Sequence, residues 1–458
     1  MGRDRIVAVT DRRRVLLGGG LVVGFALANG KAHARAQVIQ PSGPQPVSND
    51  EVLDVVGQGF TGFAPDAFIR ISRENRVFLI LPNVEMGQGI YMGEATLIAE
   101  ELEVGLDQVQ VVPAPPNETL YKQPLLQFQG TGGSTSIRGA WTPMRKAGAA
   151  ARTMLVGAAA AQWGVSPAEC RAERATVTHG PTGRSLPYGQ LVEAASRQPV
   201  PTDPVLKTPA QFKLIGKPLR RIDTPAKVNG QAVYGIDVRV PGMKVATVAA
   251  SPVFGGWLGS VDDSVALAIP GVVQVVRLKA AVAVVGDHMW AALKGMRALK
   301  IQWEEGANAK LSTEAMRDQV KRVAEAGPAA VAVSRGDMER GFREGGDRVD
   351  AVYEQPFLAH APMEPLATVV HAKPYGTAEV WTGTQVPTFA QLAAAEGLGV
   401  APEKVTVHNH VLGGGFGRRL EAESVEQAAE IAKQCAFPVK VIWTRERSEE
   451  RRVGKECV

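Results

Sequence analysis

The chain has 458 residues and a hydrophobic fraction of 45%, which is ordinary for a packed globular protein and gives room for about three domains. Its formal net charge is +5, but residues 1–36 alone carry seven basic and two acidic side chains. The remaining residues are therefore close to neutral as a group. A neutral body excludes the extended basic surface that a nucleic-acid-binding protein needs.

The three cysteines, Cys170, Cys435 and Cys457, lie far apart in the sequence and form no CxxC pair. This spacing excludes a zinc or iron–sulfur site built from the cysteines of this chain. Electrons released by a redox reaction would therefore have to leave through another subunit.

The first 36 residues have the three parts of an export signal. Three arginines at 12–14 precede an apolar run at 15–28, and two small-x-small patterns at 32–36 fit a cleavage site. The paired arginines favour a twin-arginine-type signal peptide over 1–36 and hence a periplasmic protein. A membrane anchor is the alternative, although 14 apolar residues are short for a helix that spans a bilayer.

The next part of the chain is predicted as a linker and a first folded segment. Residues 37–64 are rich in Pro, Gly, Ser and Asn, which is typical of a linker or arm. Residues 65–200 hold alternating and helical apolar patterns. These patterns predict a hairpin at 68–81, a helix at 93–103, a strand at 109–112 and a helix at 140–163. Two loops lie between them, Val84-Glu-Met-Gly-Gln-Gly89 and Gly130-Thr-Gly-Gly-Ser-Thr-Ser136.

Two further units follow a polar, proline-containing boundary at 196–212. Residues 213–305 predict a compact α/β domain with strands at 233–234, 244–250, 271–278 and 299–303. Residues 350–446 predict strands at 378–381, 404–407 and 439–444, a helix at 421–435, and the loop Leu412-Gly-Gly-Gly-Phe-Gly-Arg-Arg419. The chain as a whole is thus predicted to be a multi-domain α/β (α+β) protein.

The last twelve residues, 447–458, differ in composition from the rest of the chain. Seven are charged, and they follow a buried-looking strand abruptly. We interpret them as a non-native tail, translated from adapter or assembly-junction sequence. A genuine charged tail is the alternative.

The glycine loops have the chemistry of an anion cradle. A glycine-rich turn between a strand and a helix lets backbone N–H groups converge on a negatively charged group without a Cβ in the way. The hydroxyls at 131–136 add further donors. Each loop alone is more often a tight turn, but the three together indicate a phosphate-bearing cofactor held between separate segments. A Walker motif and a GxGxxG fingerprint are both absent.

The chain contains four motifs in this order: Met86-Gly-Gln-Gly89, Gly216-Lys-Pro-Leu-Arg-Arg-Ile-Asp223, Ala359-His-Ala-Pro-Met-Glu-Pro365 and Leu412–Arg419. The combination in this order is far more specific than any single motif. This order resembles the molybdopterin-binding large subunit of the xanthine dehydrogenase and aldehyde oxidase superfamily. More narrowly, it resembles the isoquinoline 1-oxidoreductase β-subunit group. The resemblance implies a small hammerhead domain at 213–305 between two molybdopterin-binding segments, 65–200 and 350–446.

The resemblance also implies roles for particular residues. Gln88 would lie beside the molybdenum, and backbone amides around Phe416 would face the metal centre. The metal itself would be held through the pterin dithiolene and by no protein ligand. The implied cofactor-binding residues are Gly87, Gln88, Gly89, Ser134, Thr135, Ser136, Arg138, Gly414, Gly415, Phe416 and Gly417.

The implied reaction is oxidative hydroxylation with water as the oxygen source and a glutamate as general base. The implied cofactor is molybdenum cytosine dinucleotide, and a small partner subunit would carry [2Fe–2S] clusters and pass electrons on, for example to a cytochrome c. Leu420 stands where purine-oxidising members have a glutamate, so an N-heteroaromatic compound or an aldehyde is expected rather than xanthine. The family's catalytic Glu has no match in 37–446, so we expect a C-terminally truncated, inactive chain.

Other interpretations remain open at this point. His408 and His410 alternate on one strand face and could bind a metal, but a structural role is favoured because no third ligand is near. Glu85 is expected to form a structural hydrogen bond rather than to act as a base. His360 and Glu364 could line a substrate funnel or brace a turn. The alternatives at the level of function are a non-catalytic periplasmic binding protein and a nucleotide-phosphate enzyme.

Overall fold

The computed structural model describes residues 54–57, 60–328, 330–355 and 358–445. All of these residues belong to one compact unit. The predicted signal peptide at 1–36, most of the linker and the tail at 447–458 lie outside the described residues. Helices and strands are mixed throughout, which confirms the predicted α/β class.

A four-stranded sheet opens the fold, in the order β1-β2-β3-β4. Its strands are β1 (Gly62–Phe63), β2 (Ile69–Ser72), β3 (Val77–Leu81) and β4 (Val109–Pro113). The predicted hairpin is confirmed, because β2 and β3 pair antiparallel with Ile71 opposite Val77. The parallel partners β3 and β4 are joined through helix α1 (Ile90–Leu102). The helix begins three residues before its predicted start, since Gly89 adopts a left-handed conformation with φ 88° and ends the loop there.

A short helix, α2 (Glu118–Tyr121), precedes the long helix α3 (Ser136–Trp163), which packs lengthwise on α1. Helices α1 and α3 together cover this sheet and form its core. The helices approach closely at Gly148, where a Cβ would lie 2.6 Å from the Ile98 carbonyl oxygen. Between them Glu101 and Arg145 form a buried ion pair at 2.8 Å. Leu79, Ile98 and Leu155 are fully buried in the adjoining core.

A three-stranded antiparallel sheet and helix α4 (Tyr188–Ser196) close the first half. Its strands are β5 (Cys170–Glu173), β6 (Thr176–His179) and β7 (Ser185–Pro187). Tyr188 is buried, and its hydroxyl donates to the Leu102 carbonyl at 2.7 Å. This contact joins α4, which directly follows the small sheet, to the C-terminal end of α1.

A seven-stranded mixed sheet dominates the second half, in the order β10-β11-β8-β16-β13-β14-β15. Its strands are β8 (Lys244–Ala250), β10 (Val272–Arg277), β11 (Ala281–Gly286), β13 (Ala367–Ala372), β14 (Ala378–Thr382), β15 (Val405–Asn409) and β16 (Val439–Ile442). Strand β16 pairs parallel with β8 and antiparallel with β13. The predicted hammerhead segment therefore shares a sheet with the segment at 350–446, and the domain boundaries drawn from the sequence stay predictions.

The sequence analysis missed β11 and β9 (Trp257–Asp262), and it also missed β1, β13 and the three strands of the small sheet. Strand β9 pairs with β12 (Lys300–Glu304), and β11 is buried along its whole length. A strand covered on both faces is uniformly apolar and lacks the alternation used to recognise strands. The predicted strand at 233–234 is only an isolated bridge between Tyr234 and Val411.

The remaining helices lie in the second half of the chain. They are α5 (Thr224–Val228), α6 (Ser264–Leu267), α7 (Met289–Ala298), α8 (Thr313–Glu325), α9 (Met338–Glu344), α10 (Pro387–Leu398) and α11 (Glu423–Ala432). Helices α10 and α11 pack on each other and against the seven-stranded sheet. None of the helices in the described ranges is long and apolar enough to cross a membrane.

Candidate functional site

Three loops that are distant in the sequence meet at one place in the fold: 84–89, 130–136 and 412–420. The N–H of Val84 donates to Thr131 Oγ1 at 2.8 Å. The N–H of Leu412 donates to the Glu85 carbonyl at 2.9 Å. A Cβ added to Gly415 would lie 2.5 Å from the sulfur of Met86, so the first and third loops are in direct contact. The loops that the sequence indicated separately thus form one site.

Glu85 is fully buried and shapes the first loop. Its Oε1 accepts hydrogen bonds from the N–H groups of Gly87 at 2.9 Å and Gly89 at 3.3 Å. Its Oε2 accepts from the N–H of Tyr91 at 3.4 Å. The protein's own carboxylate thus occupies the N–H donors of Gly87 and Gly89, and the predicted part of this loop in an anion cradle stays a prediction. The expected structural role of Glu85 is confirmed.

Two cations balance the charge of Glu85. Arg221 and Lys227 lie 2.8 and 2.9 Å from its Oε1, and each also contacts Asp223 at 2.6 Å. Burial raises the pKa of Glu85, but the hydrogen bond and the charge of Lys227 outweigh it, so the pKa lies below its ordinary value. Arg221 also donates to the Gly87 carbonyl at 3.1 Å. The motif at 216–223 thus holds the first loop in shape.

Gln88 is exposed, and its side chain folds back on its own loop. Its Oε1 accepts from the N–H of Met86, and its Nε2 donates to the Val84 carbonyl at 2.9 Å. Both ends of the amide therefore stabilise the turn. The predicted place of Gln88 beside the metal stays a prediction.

The third loop presents a row of unused donors. In the part of the chain that the structure describes, the N–H groups of Gly414, Gly415 and Phe416 have no hydrogen-bond acceptor. The flanking N–H groups are taken, by Glu364 Oε2 at Gly413 and by Gln385 Oε1 at Gly417. Phe416 has a left-handed φ of 51°, and its side chain is 68% exposed. The row 414–416 can therefore donate to a bound acceptor.

Arg419 and Glu364 hold this loop from behind. The Arg419 guanidinium is buried and donates to the carbonyls of Gly414 and Gly383 at 3.0 Å each and to Glu364 Oε2 at 2.9 Å. Glu364 Oε1 accepts in turn from the N–H of Ile236 at 3.1 Å. Burial lowers the pKa of Arg419 from its ordinary value. Glu364 thus braces a turn, and it also lines a small cavity together with His360, which is exposed to solvent.

The second loop ends at the N-terminus of α3. The Thr135 hydroxyl donates to the Gly132 carbonyl at 2.8 Å, while Ser134 has a left-handed φ of 53°. Over the described ranges, the N–H groups at 132–134 have no acceptor either, and the first turn of a helix adds further unpaired N–H groups. Ser134 and Arg138 are exposed beside them. Their predicted contact with a dinucleotide stays a prediction.

Gln385 connects the second and third loops, and the sequence analysis did not single it out. It lies in the tetrapeptide 383–386 between β14 and α10, and it is 2% exposed. Its Nε2 donates to the Thr131 carbonyl at 2.8 Å, and its Oε1 accepts from the N–H of Gly417 at 3.1 Å. The only local signal is a polar pair, Thr384-Gln385, which lies one residue before a helix that begins at Pro387.

Glu94 is the second residue that sequence reasoning missed. It lies on α1, nine residues after Glu85, and is fully buried. Neither carboxylate oxygen has a hydrogen-bond partner in the described structure. Burial raises its pKa well above the ordinary value, against a weaker opposing influence of the Asn83 backbone. Burial therefore favours the protonated form of Glu94.

His408 and His410 lie near each other, but no metal site forms around them. His408 stacks on Trp381 with 4.9 Å between ring centroids. Burial lowers the pKa of His410 to about 4. Among the described residues no third ligand joins the pair. A structural role fits both residues.

Comparison with known proteins places these loops in a family. Residues 32–240 and 321–450 match two family models, each described as a molybdopterin cofactor-binding domain. Together they include all three loops of the site. The chain belongs to the xanthine dehydrogenase and aldehyde oxidase family.

Three curated relatives within this family illustrate the range of similarity. The chain is 33% identical over 430 residues to the β subunit of isoquinoline 1-oxidoreductase of Brevundimonas diminuta, covering 84% of this chain and 54% of that protein. It is 29% identical to a membrane-bound aldehyde dehydrogenase (pyrroloquinoline-quinone) of Gluconacetobacter polyoxogenes, over 97% of this chain and 57% of the other. It is 28% identical to a nicotinate dehydrogenase subunit of Pseudomonas putida, over 90% and 34%. The chain thus spans about half or less of the length of these relatives.

Proposed function

We propose that this chain is the cofactor-binding part of the large subunit of a molybdenum hydroxylase. The observation that carries the proposal is the convergence of the three loops, with two rows of unused N–H donors at 132–134 and 414–416. Such rows suit a phosphate-bearing pterin, because backbone N–H groups bind phosphate oxygens without a change in protonation. The matching molybdopterin-binding models support the same conclusion.

The residues present fit such a group. A Cβ on Gly414 would lie 2.9 Å from the Phe416 ring and 3.2 Å from Pro362, so the glycine keeps the backbone open at the row 414–416. Ser134, Thr135, Ser136 and Arg138 would bind the dinucleotide end, which we expect to be cytosine. Gly415 would complete the third-loop row. Gly87, Gln88, Gly89 and Gly417 would lie beside the cofactor, although the N–H groups of Gly87, Gly89 and Gly417 already donate to Glu85 and Gln385. The bound molybdenum cofactor would supply the two-electron oxidation of the substrate carbon.

This chain's own residues would bind and orient rather than transfer protons. Glu85 is held ionised by Arg221 and Lys227, and its oxygens are used within the loop, so it is unsuited to act as a base. Glu94 is buried beneath the loops rather than exposed to a substrate. The general base would come from the part of the relatives that this chain does not match. We therefore propose that the chain is truncated and inactive by itself.

We propose an N-heteroaromatic compound or an aldehyde as substrate class. Leu420, beside the glycine at 417, offers an apolar contact where a purine-oxidising enzyme needs a carboxylate. The exposed ring of Phe416 adds an aromatic surface at the same edge. The names of the relatives from Brevundimonas and Pseudomonas, which refer to isoquinoline and nicotinate, are consistent with this class.

Electron transfer would need a partner subunit. The three cysteines of this chain form no CxxC pair and are fewer than the four that usually hold a [2Fe–2S] cluster. A small subunit with [2Fe–2S] clusters, followed by a cytochrome c, would accept the electrons. The twin-arginine-type signal favours a periplasmic site for the assembled enzyme.

Metal and cofactor analysis of the protein purified with its genomic neighbours tests this function. The expected result is close to one molybdenum and one pterin per chain, with cytosine released on hydrolysis. Because one relative is named for pyrroloquinoline quinone, the same extract is assayed for that quinone. Quinone without molybdenum would contradict the proposal, and the absence of both would favour a periplasmic binding protein.

A further inference from the structure

The turn that ends helix α5 contains an asparagine followed by a glycine, Asn229 and Gly230. Both residues are exposed, and a Cβ added to Gly230 would meet no atom within 4 Å, so open space surrounds this part of the backbone. Among the described residues, the N–H of Gly230 has no hydrogen-bond acceptor. The backbone nitrogen of Gly230 is therefore available as a nucleophile.

The carboxamide of Asn229 is held in a way that favours attack at its carbon. Its Oδ1 accepts from the backbone N–H of Gln231 at 3.0 Å, and its Nδ2 donates to Gln231 Oε1 at 2.9 Å. An N–H that donates to a carbonyl oxygen stabilises the negative charge that develops on this oxygen during nucleophilic attack. The nucleophile and the activated carbon belong to neighbouring residues, so a succinimide ring can close between them.

We propose that Asn229 is a site of spontaneous modification, at which the folded chain loses ammonia. The Gly230 nitrogen forms a bond to Asn229 Cγ, the bond from Cγ to Nδ2 breaks, and the proton of the Gly230 nitrogen leaves with Nδ2 as ammonia. Water then opens the succinimide ring at either of its carbonyl carbons and yields aspartate or isoaspartate at position 229. The reaction needs no oxidant or reductant, and it does not depend on the proposed function.

The product places a carboxylate, and in isoaspartate also an extra backbone carbon, at the C-terminal end of α5. The N–H of Gln231 donates to the Ala226 carbonyl at 3.0 Å across this turn. A negative charge is unfavourable beside the carbonyl groups that end a helix. Lys227 lies on the same turn, and its Nζ contacts Glu85 Oε1 at 2.9 Å. A loosened turn therefore weakens the support of the first loop.

Peptide mass spectrometry of the full chain follows the modification. Digestion with trypsin gives the peptide Val228–Arg239, which contains Asn229. During incubation at pH 8 this peptide should gain the mass that replaces an amide by a carboxylic acid, and the product should be a substrate of isoaspartyl methyltransferase. Asn229→Gln should stay unconverted, because its longer side chain closes a less favourable ring. An unchanged wild-type peptide, or equal conversion of the variant, would overturn the proposal.

Ala309→Gly is the matched control, since it creates a second asparagine–glycine pair in an exposed turn. There Asn308 Nδ2 donates to the Phe254 carbonyl at 2.9 Å, and the N–H at 309 donates to the Gly306 carbonyl at 3.4 Å. Because the nucleophile is occupied, conversion at Asn308 should be about fivefold slower than at Asn229 in the folded chain. In urea the two sites should react at similar rates. Equal rates in the folded chain, or a difference that persists in urea, would show that the turn plays no part.

Amide hydrogen exchange measures whether the change reaches the first loop. In protein aged at pH 8, peptides that cover 84–92 should exchange about threefold faster than in fresh protein, the effect of one unfavourable charge at a helix end. Asn229→Gln that is aged in the same way should show no change. Unchanged exchange in the aged and converted wild type would overturn the link between Asn229 and the first loop.

Discussion

Glu85 shows how one buried carboxylate decides what a glycine loop can bind. Its two oxygens take N–H groups of Gly87, Gly89 and Tyr91 that would otherwise be available to an anion. Arg221 and Lys227 then neutralise the carboxylate. The first loop is therefore a rigid neighbour of the two donor rows rather than a third row.

At the same scale, Glu94 differs from Glu85 because, among the described residues, no cation pairs with it and its oxygens have no hydrogen-bond partner. A carboxyl with a raised pKa is protonated in the folded state, while in the unfolded chain it ionises above about pH 4.5. The folded state thus binds more protons above that pH, and the free energy of unfolding falls by about 1.4 kcal/mol per pH unit until the folded pKa is reached.

Glu94→Gln should remove this pH dependence. The midpoint of thermal unfolding should rise in the variant relative to the wild type, and the difference should grow as the pH increases above about 4.5. The measurement is a series of melting curves between pH 4 and pH 8. A difference that stays constant over this range would mean that Glu94 ionises in the folded protein as it does in water.

Glu100→Gln on the same helix provides a control of opposite sign. Burial raises the pKa of Glu100, but Lys207 and backbone N–H groups outweigh it and lower the pKa. The stability from Glu100 is present above the unfolded pKa and is lost as the pH falls through the folded pKa. This variant should be destabilised at pH 7, and its difference from the wild type should shrink in acid.

At the scale of elements, the α1–α3 pair supports two of the three loops. The first loop leads into α1 and the second leads into α3, so the packing of the helices sets where both loops stand. The closest approach is at Gly148, whose missing side chain makes room for the Ile98 carbonyl. The buried Glu101–Arg145 pair fixes the same contact by charge.

Gly148→Ala should therefore separate the helices and destabilise the protein by about 1–3 kcal/mol through overpacking. Gly157→Ala is the matched control on α3, since a Cβ there would lie 3.4 Å from the Gln198 side chain, and it should add about 0.5–1 kcal/mol of helix stability. Urea unfolding of both variants gives the free energies. Equal stabilisation by the two alanines would show that the helices do not meet as described.

At the scale of the molecule, the seven-stranded sheet unites segments that the sequence suggested were separate domains. Strand β16 lies in the middle, between β8 and β13, and Val439 and Val441 on it are buried. Trp443, which follows it, is 1% exposed. The sheet is therefore completed only when the chain has passed residue 443.

A chain that ends at residue 437 should lose the seven-stranded sheet. Removal of β16 exposes two unpaired edges and several buried side chains, at a cost of more than about 5 kcal/mol, comparable to the stability of a whole domain. We expect aggregation or loss of the cooperative unfolding transition. A chain that ends at residue 446 should melt like the full chain if 447–458 is a non-native tail, and a clear fall in its melting temperature would contradict that interpretation.

Much of the local structure followed from the sequence. The hairpin, the long helix now bounded at Ser136–Trp163 and the positions of the glycine loops all depend on residues near one another in the chain. Periodicity and turn residues report such local preferences directly. The order of the motifs was sufficient to indicate the family, which the matches to molybdopterin-binding domains confirmed.

Only the tertiary structure decided which loop donors remain available. Glu85 takes the donors of the first loop, and Gln385 and Glu364 close the ends of the third loop. Within the described ranges, Glu94 has no hydrogen-bond partner. Each of these outcomes depends on which atoms come close together in the folded chain. The hydrogen-bond partners of Gln385 and Glu364 are tens to hundreds of residues away from them in sequence. A one-dimensional pattern carries no such distance, so the loops were predictable as a set while their chemistry was not.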